Sequence, residues 1–268
     1  MDGGRIQRRD FFGKAFKTAA VVLLAETILS CTDKQEPLLS ETNKIVAAPA
    51  VYEINKWAFH LNSFCSDLDK DELTLTEWQD QLADLYGKIE LEDILRFIDF
   101  ERLIKDLPLP DLGVATKKVV FPKINGLPED TVFVKKVFGM NPRRAIIPHG
   151  HSNMASGHLT LDGEFRLRQY DKISKTNSSL VLNKTVDKVI KAGDFSSISD
   201  DRNNVHWFIA GNRPAYTFDV IMLDLKGEKY DIHNLDMEAA EELADGRLEA
   251  PIMSVQNALS KYGKVTEA

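Results

Sequence analysis

The chain has 268 residues, 43% of them hydrophobic, and a formal net charge of −7. That size and balance describe a globular protein of one domain, or of one domain with an appendage. The acidic excess argues against a nucleic-acid surface, and the sequence holds neither an internal repeat nor a low-complexity tract.

Arg5, Arg8, Arg9, Lys14 and Lys17 form a positive N-terminal region. Ala19 to Ser30 is apolar but interrupted by Glu26, too short to span a bilayer as a stable anchor. Gln7-Arg8-Arg9-Asp10-Phe11-Phe12-Gly13-Lys14 resembles a twin-arginine export signal, and Ile28-Leu29-Ser30-Cys31 resembles a bacterial lipoprotein box. The bland alternative is a basic amphipathic helix. Residues 1–31 are expected to direct export by the twin-arginine route. The product would be periplasmic or a membrane-anchored lipoprotein, touching the membrane only through a lipid on Cys31. Cys65 is then unpaired, and in its apolar run it is expected to be a buried, inert thiol.

Residues 32–50 are polar and read as a tether. Residues 51–110 are helical in pattern. Thr76-Glu77-Trp78-Gln79 has the form of a capping box with Thr76 as N-cap, and Trp78, Leu82, Leu85 and Ile89 come after it at helical spacing. The pattern continues from Leu91 to about Lys105, and Pro108 and Pro110 end it. These helices are expected to form a layer packed on the outside of the C-terminal remainder of the chain.

From Thr116 the texture changes to short strands between turn residues. The candidates are Lys118–Phe121, Thr131–Phe138, Ala145–Pro148, Gly157–Leu161, Glu164–Tyr170, Ser179–Leu182, Val205–Ala210 and Tyr216–Leu223. Many short strands over residues 111–235 predict a mainly β sandwich or barrel. Residues 236–268 are expected to be two short helices, one capped by Asp236 and stopping near Gly246, the other starting at Pro251 and stopping near Gly263.

The chemistry concentrates in His149-Gly150-His151 and in Asn204-Val205-His206. Histidines at i and i+2 on a strand share one face. A third from a distant strand closes a three-nitrogen metal site, which can hold iron and leave positions open for substrate and dioxygen. No Glu or Asp stands between His151 and Asp162 to add a carboxylate ligand. The alternatives are solvated loop histidines at 149 and 151 and a lone core histidine at 206.

These residues carry a resemblance. His149, His151, Met154, Gly163 and Tyr170-Asp171 match the first motif of the cupin fold, a double-stranded β-helix or jelly-roll barrel. Within cupins they look most like the thiol dioxygenases of the cysteamine dioxygenase and plant cysteine oxidase group. Asn204-Val205-His206, Ala210 and Phe218-Asp219-Val220-Ile221 match the second motif. The resemblance implies a cupin barrel with Fe2+, or another divalent metal such as manganese, nickel, copper or zinc, on His149, His151 and His206. It implies a small-molecule thiol and O2 as partners, a sulfinate as product, and Asp219 in the pocket. Met222-Leu223-Asp224-Leu225 stands where the group carries a loop with two prolines and a tyrosine, and Gly227-Glu228-Lys229-Tyr230 lacks the group's cysteine. A non-catalytic metal- or small-ligand-binding cupin, or an oxidase of a non-thiol substrate, is the competing reading.

Parity aims His158 into the barrel as a fourth ligand, an acid/base group or a structural histidine. Arg166 and Arg168 share a strand face and could hold a substrate carboxylate, or be solvated on the outside. Trp207 and Tyr216 could line the pocket or be plain core aromatics. His60 and His233 lie outside both motifs, and Glu238–Asp245 reads as a solvated helix face.

Overall fold

A computed structural model describes residues 49–265. The expected export signal and most of the expected tether lie outside the described residues. Four helices come first: α1 (Pro49–Asp69), α2 (Leu75–Tyr86), α3 (Leu91–Phe97) and α4 (Phe100–Lys105). The capping box at α2 uses Thr74, not Thr76. Thr74 Oγ1 accepts from the Glu77 N–H at 3.2 Å, and Glu77 Oε2 accepts from the Thr74 N–H at 2.9 Å. Gln79 is freed from capping and is buried. Leu91–Lys105 is broken in two because Asp99 adopts a left-handed conformation (φ 54°) that no helix interior accommodates.

Twelve strands come next: β1 (Ala115–Lys118), β2 (Val134–Met140), β3 (Ala145–Ser152), β4 (Ala155–Asp162), β5 (Glu164–Lys175), β6 (Ser179–Lys191), β7 (Phe195–Ile198), β8 (Val205–Ala210), β9 (Ala215–Met222), β10 (Asp231–Leu235), β11 (Glu241–Glu242) and β12 (Leu248–Met253). They make two sheets, ordered β1-β2-β9-β4-β7 and β10-β3-β8-β5-β6-β12-β11. All the pairings are antiparallel. The inner eight strands, β2-β9-β4-β7 against β3-β8-β5-β6, have the order of the cupin-type jelly roll. The fold is mainly β, with helices before the barrel and one, α5 (Val255–Tyr262), after it.

The first of the two expected C-terminal helices does not form: residues 236–246 carry only the short strand β11. The second starts at Val255 and not at Pro251, because residues 248–253 pair with β6 and β10 and Pro251 sits inside β12. Ser254 caps α5, accepting from the Asn257 N–H at 3.2 Å.

Two faces of the first sheet do different work. Outward, Leu159, Leu161, Phe218, Val220 and Met222 join Trp57, Leu61, Trp78, Leu82 and Ile94 of the helices in one apolar core. Gly157 lets α2 approach, since a Cβ there would collide with Leu82 Cδ2. Cys65 is buried in the same core, where burial pushes its thiol up to about 12. Inward, Ser156, His158, Thr160, Thr217 and Asp219 face the second sheet, all buried. One end of the barrel is filled by Met140, Phe165, Leu167, Ile190, Phe208, Ala210 and Ala215. The other end is polar.

Candidate metal centre

His149, His151 and His206 are brought together at the polar end, each offering a nitrogen within 4.8 Å of the others. Their ring centroids are 4.2–5.1 Å apart. His151 and His206 are buried, and His149 is half-buried.

Simple alternation along β3 would not deliver His149 to this face. Ile146 is paired with Phe208 and faces the barrel interior, so His149, three residues on, would point outward. A β-bulge intervenes: Ile147 and Pro148 together oppose Trp207, and His149 then pairs with His206. Proline is at home there because a bulge residue needs no ladder hydrogen bond. The bulge also orients the ligand. The Ile147 carbonyl lies 2.7 Å from His149 Nδ1, so that nitrogen is the N–H and Nε2 keeps its lone pair.

Gly150 is forced by packing, since a Cβ there would lie 2.8 Å from Val205 Cγ2 and 3.0 Å from Asn204 Oδ1. The His151 carbonyl also accepts from Lys172 Nζ at 2.5 Å, and Lys172 pairs with Asp200 at 2.8 Å. Burial holds all three imidazoles below their ordinary range, helped at His151 and His206 by the neighbouring rings. They are therefore neutral at pH 7, the form that binds metals.

Both ring nitrogens of His151 and Nδ1 of His206 are buried without a hydrogen-bond partner among the described residues. Each such orphan costs about 1–3 kcal/mol. Three uncharged imidazoles with unpaired nitrogens at this spacing fit a divalent metal, and imidazole donors suit zinc, copper, iron and nickel.

The opposite wall carries the other two candidates. His158 and Asp219 are cross-strand partners, with Nε2 and Oδ2 3.9 Å apart. His158 is not within the 4.8 Å group, although its ring lies 5.3 Å from that of His206. Burial drives the His158 imidazole down to about 3 and the Asp219 carboxyl up to about 8. Asp219 Oδ1, Ser156 Oγ and Thr160 Oγ1 have no partner among the described residues, so this wall presents unpaired hydrogen-bonding groups to the metal group.

The remaining candidates lie elsewhere. Arg166 pairs with Asp187 at 2.9 Å on the outer face of β5, and Arg168 stacks 4.5 Å over Trp207. Neither can hold a ligand inside the barrel. Trp207 packs outward with Ile147, Ile209 and Tyr262, and Tyr216 packs against Phe100 under the helices. His60 is exposed. His233, on the outer side of β3, meets Lys175 Nζ at 2.7 Å. Sequence reading missed Gln169, which the register places beside His206 and which donates to the Ser197 carbonyl at 3.1 Å. Its signal was parity with Phe165 and Leu167.

No family model and no curated protein matches the sequence. Solved structures do match in part. An oxalate oxidase is 15% identical over 48% of this chain and 60% of its own, with a TM-score of 0.35. KdgF from Halomonas sp. is 12% identical over 41% and 77%, with a TM-score of 0.29. Procruciferin, an 11S globulin from Brassica napus, is 11% identical over 48% and 28%, with a TM-score of 0.34. The chain thus spans less than a third of the globulin. At such scores it is the strand order that identifies the jelly roll.

Proposed function

We propose that the protein is a mononuclear non-haem iron dioxygenase of thiol-dioxygenase type, built on a cupin barrel and exported as a lipoprotein anchored through Cys31. The carrying observation is the group of three neutral imidazoles, with no carboxylate among them, facing a wall of unpaired polar groups. His149, His151 and His206 would hold the metal. When bound there, ferrous iron would supply the redox chemistry for oxidising a thiol with dioxygen. The balance is RSH + O2 → RSO2H, with both oxygens entering the product and no added reductant.

The chain's own contributions are positional. The Ile147 carbonyl fixes the His149 tautomer. Ser156 and Thr160 offer hydroxyls to orient a small polar substrate. Asp219, whose carboxyl burial raises to about 8, is protonated at neutral pH and can donate a hydrogen bond to a bound substrate.

The test is metal content of the untagged protein beside a His206→Ala variant, with oxygen uptake on a panel of small thiols. Near-stoichiometric iron, lost in the variant, with thiol-dependent uptake supports the reading. Bound metal without uptake favours a metal- or small-ligand-binding cupin, for which the His158 ring, 5.3 Å from that of His206, is available to close the site. Absence of metal from both proteins overturns the centre itself.

A further inference from the structure

One rung of the first sheet crosses it from edge to edge. Lys118 on β1 pairs with Lys136 on β2, Lys136 with Asp219 on β9, Asp219 with His158 on β4, and His158 with Ser196 on β7. Directly opposed residues of antiparallel strands point to the same face, so all five belong to the face that lines the barrel. The parity of β2 is checked independently. Met140, two turns of the pleat from Lys136, lies in the interior apolar cluster, whereas Val137 lies in the core under the helices.

The rung is electrostatically odd. Two lysines sit directly opposite each other, a destabilising arrangement for like charges. Neither forms an ion pair or side-chain hydrogen bond among the described residues. Lys136 is half-buried, and Lys118, further out, is exposed. The inner faces of β8 and β5 add no cation, because Arg166 and Arg168 point outward and Lys172 is held by the His151 carbonyl and Asp200. Apart from the Asp219 carboxyl, whose proton it helps to release, the Lys136 ammonium has no charge partner on this face among the described residues.

The geometry points to Lys136 as the specificity-determining residue of this site: its ammonium binds the acidic group of a small anionic substrate whose other end reaches the three-histidine centre. This rests on the metal-centre and thiol reading above and adds the substrate's charge. Lys118 draws the anion toward the β1–β2 edge, and Lys136 holds it.

The test uses the full-length protein loaded with Co2+, whose absorption reports thiolate ligation without turnover. Three thiols of similar size are titrated: 3-mercaptopropionate, its neutral amide and cysteamine. The wild type should bind the acid about tenfold more tightly than the amide, and cysteamine weakest, as expected for one ammonium–carboxylate contact that is partly desolvated. Lys136→Gln should bring acid and amide within about twofold, Lys136→Arg should keep the preference, and Lys136→Glu should turn it toward cysteamine. Cobalt content should stay unchanged in all three variants, and the melting temperature should not fall in Lys136→Gln or Lys136→Glu, which relieve the repulsion with Lys118.

Equal binding of acid and amide by the wild type overturns the inference, as does a preference that survives Lys136→Gln. Failure of the underlying reading looks different. No cobalt spectrum before any thiol is added, or no thiolate band with any of the three, overturns the centre and this inference with it.

Discussion

Asn204 grips His151 by its main chain. Its Oδ1 accepts from the His151 N–H at 3.0 Å, and its Nδ2 donates to the His151 carbonyl at 3.1 Å. The side chain is wholly buried and also donates to the Ser199 carbonyl at 3.0 Å. One amide thus fixes the position of one imidazole, two residues before another on β8. Asn204→Ala strands two buried backbone groups. We expect a loss of about 2–4 kcal/mol in stability and of about 10–100-fold in metal affinity. Denaturant titration of the apoprotein and competitive metal titration of the folded variant check the two separately.

Deleting Pro148 removes the bulge. The ladder with β8 then runs unbroken with Ile147 alone opposite Trp207, and Ile146 and His149, now two residues apart, both still face inward. The single deletion should therefore keep metal binding, weakened about 10-fold where the Ile147 carbonyl no longer reaches His149 Nδ1, whereas deleting Ile147 and Pro148 together sets Ile146 and His149 on opposite faces and should abolish it. Metal content after dialysis distinguishes them. Loss of all metal from the single deletion, or stoichiometric metal in the double one, would sink the bulge account.

Gly163 has φ +80°, and a Cβ there would lie 2.7 Å from Ala215 Cα and 2.7 Å from the Pro214 carbonyl oxygen. Gly193 has φ +90° with nothing within 4 Å. Both incur the left-handed penalty of roughly 1–2 kcal/mol on becoming alanine, but only Gly163→Ala also displaces backbone. Its melting temperature should fall well below that of Gly193→Ala; equal values would refute the crowding.

Asp219 makes stability fall with pH. Its folded carboxyl keeps a proton up to about pH 8, while an unfolded one loses it near pH 4. Between those limits the unfolded chain binds fewer protons, so stability declines as pH rises. Asp219→Asn should therefore be more stable than the wild-type apoprotein near pH 8 and lose that advantage toward pH 4. His158 acts oppositely. With its folded value near 3 and its unfolded one near 6.5, stability rises with pH across that span, and His158→Asn should flatten it. Chemical unfolding of the metal-free proteins at several pH values reads both slopes.

The sequence disclosed most where burial on both faces left a continuous apolar signal. Val205–Ala210 was bounded from sequence as the strand it is, because β8 is buried at every position. β6 runs to Lys191, well past the expected Leu182, since its second half is polar and exposed and carries no alternation to read. Glu238 to Leu243 has helix-favouring residues, yet the segment turns to feed β12, whose partners on β6 and β10 are remote in sequence. The histidines were legible as a set, but the inward aim of His149 was not, because it depends on an unpaired step opposite Trp207. Lys136 was hidden for the same reason: its face is set by register with β9, not by its neighbours in the chain.

Gln79, in α2, joins the helices to the polar end of the barrel. Its Oε1 accepts from Ser199 Oγ at 2.8 Å and its Nε2 donates to Ser197 Oγ at 3.1 Å, while the Ser199 carbonyl is the third point held by Asn204. A helix and a candidate metal ligand are therefore three hydrogen-bonded steps apart. A chain cut back to residue 111 would bare the apolar back of a whole sheet and slacken the loop that steadies His151, so the smallest piece worth expressing begins at α1.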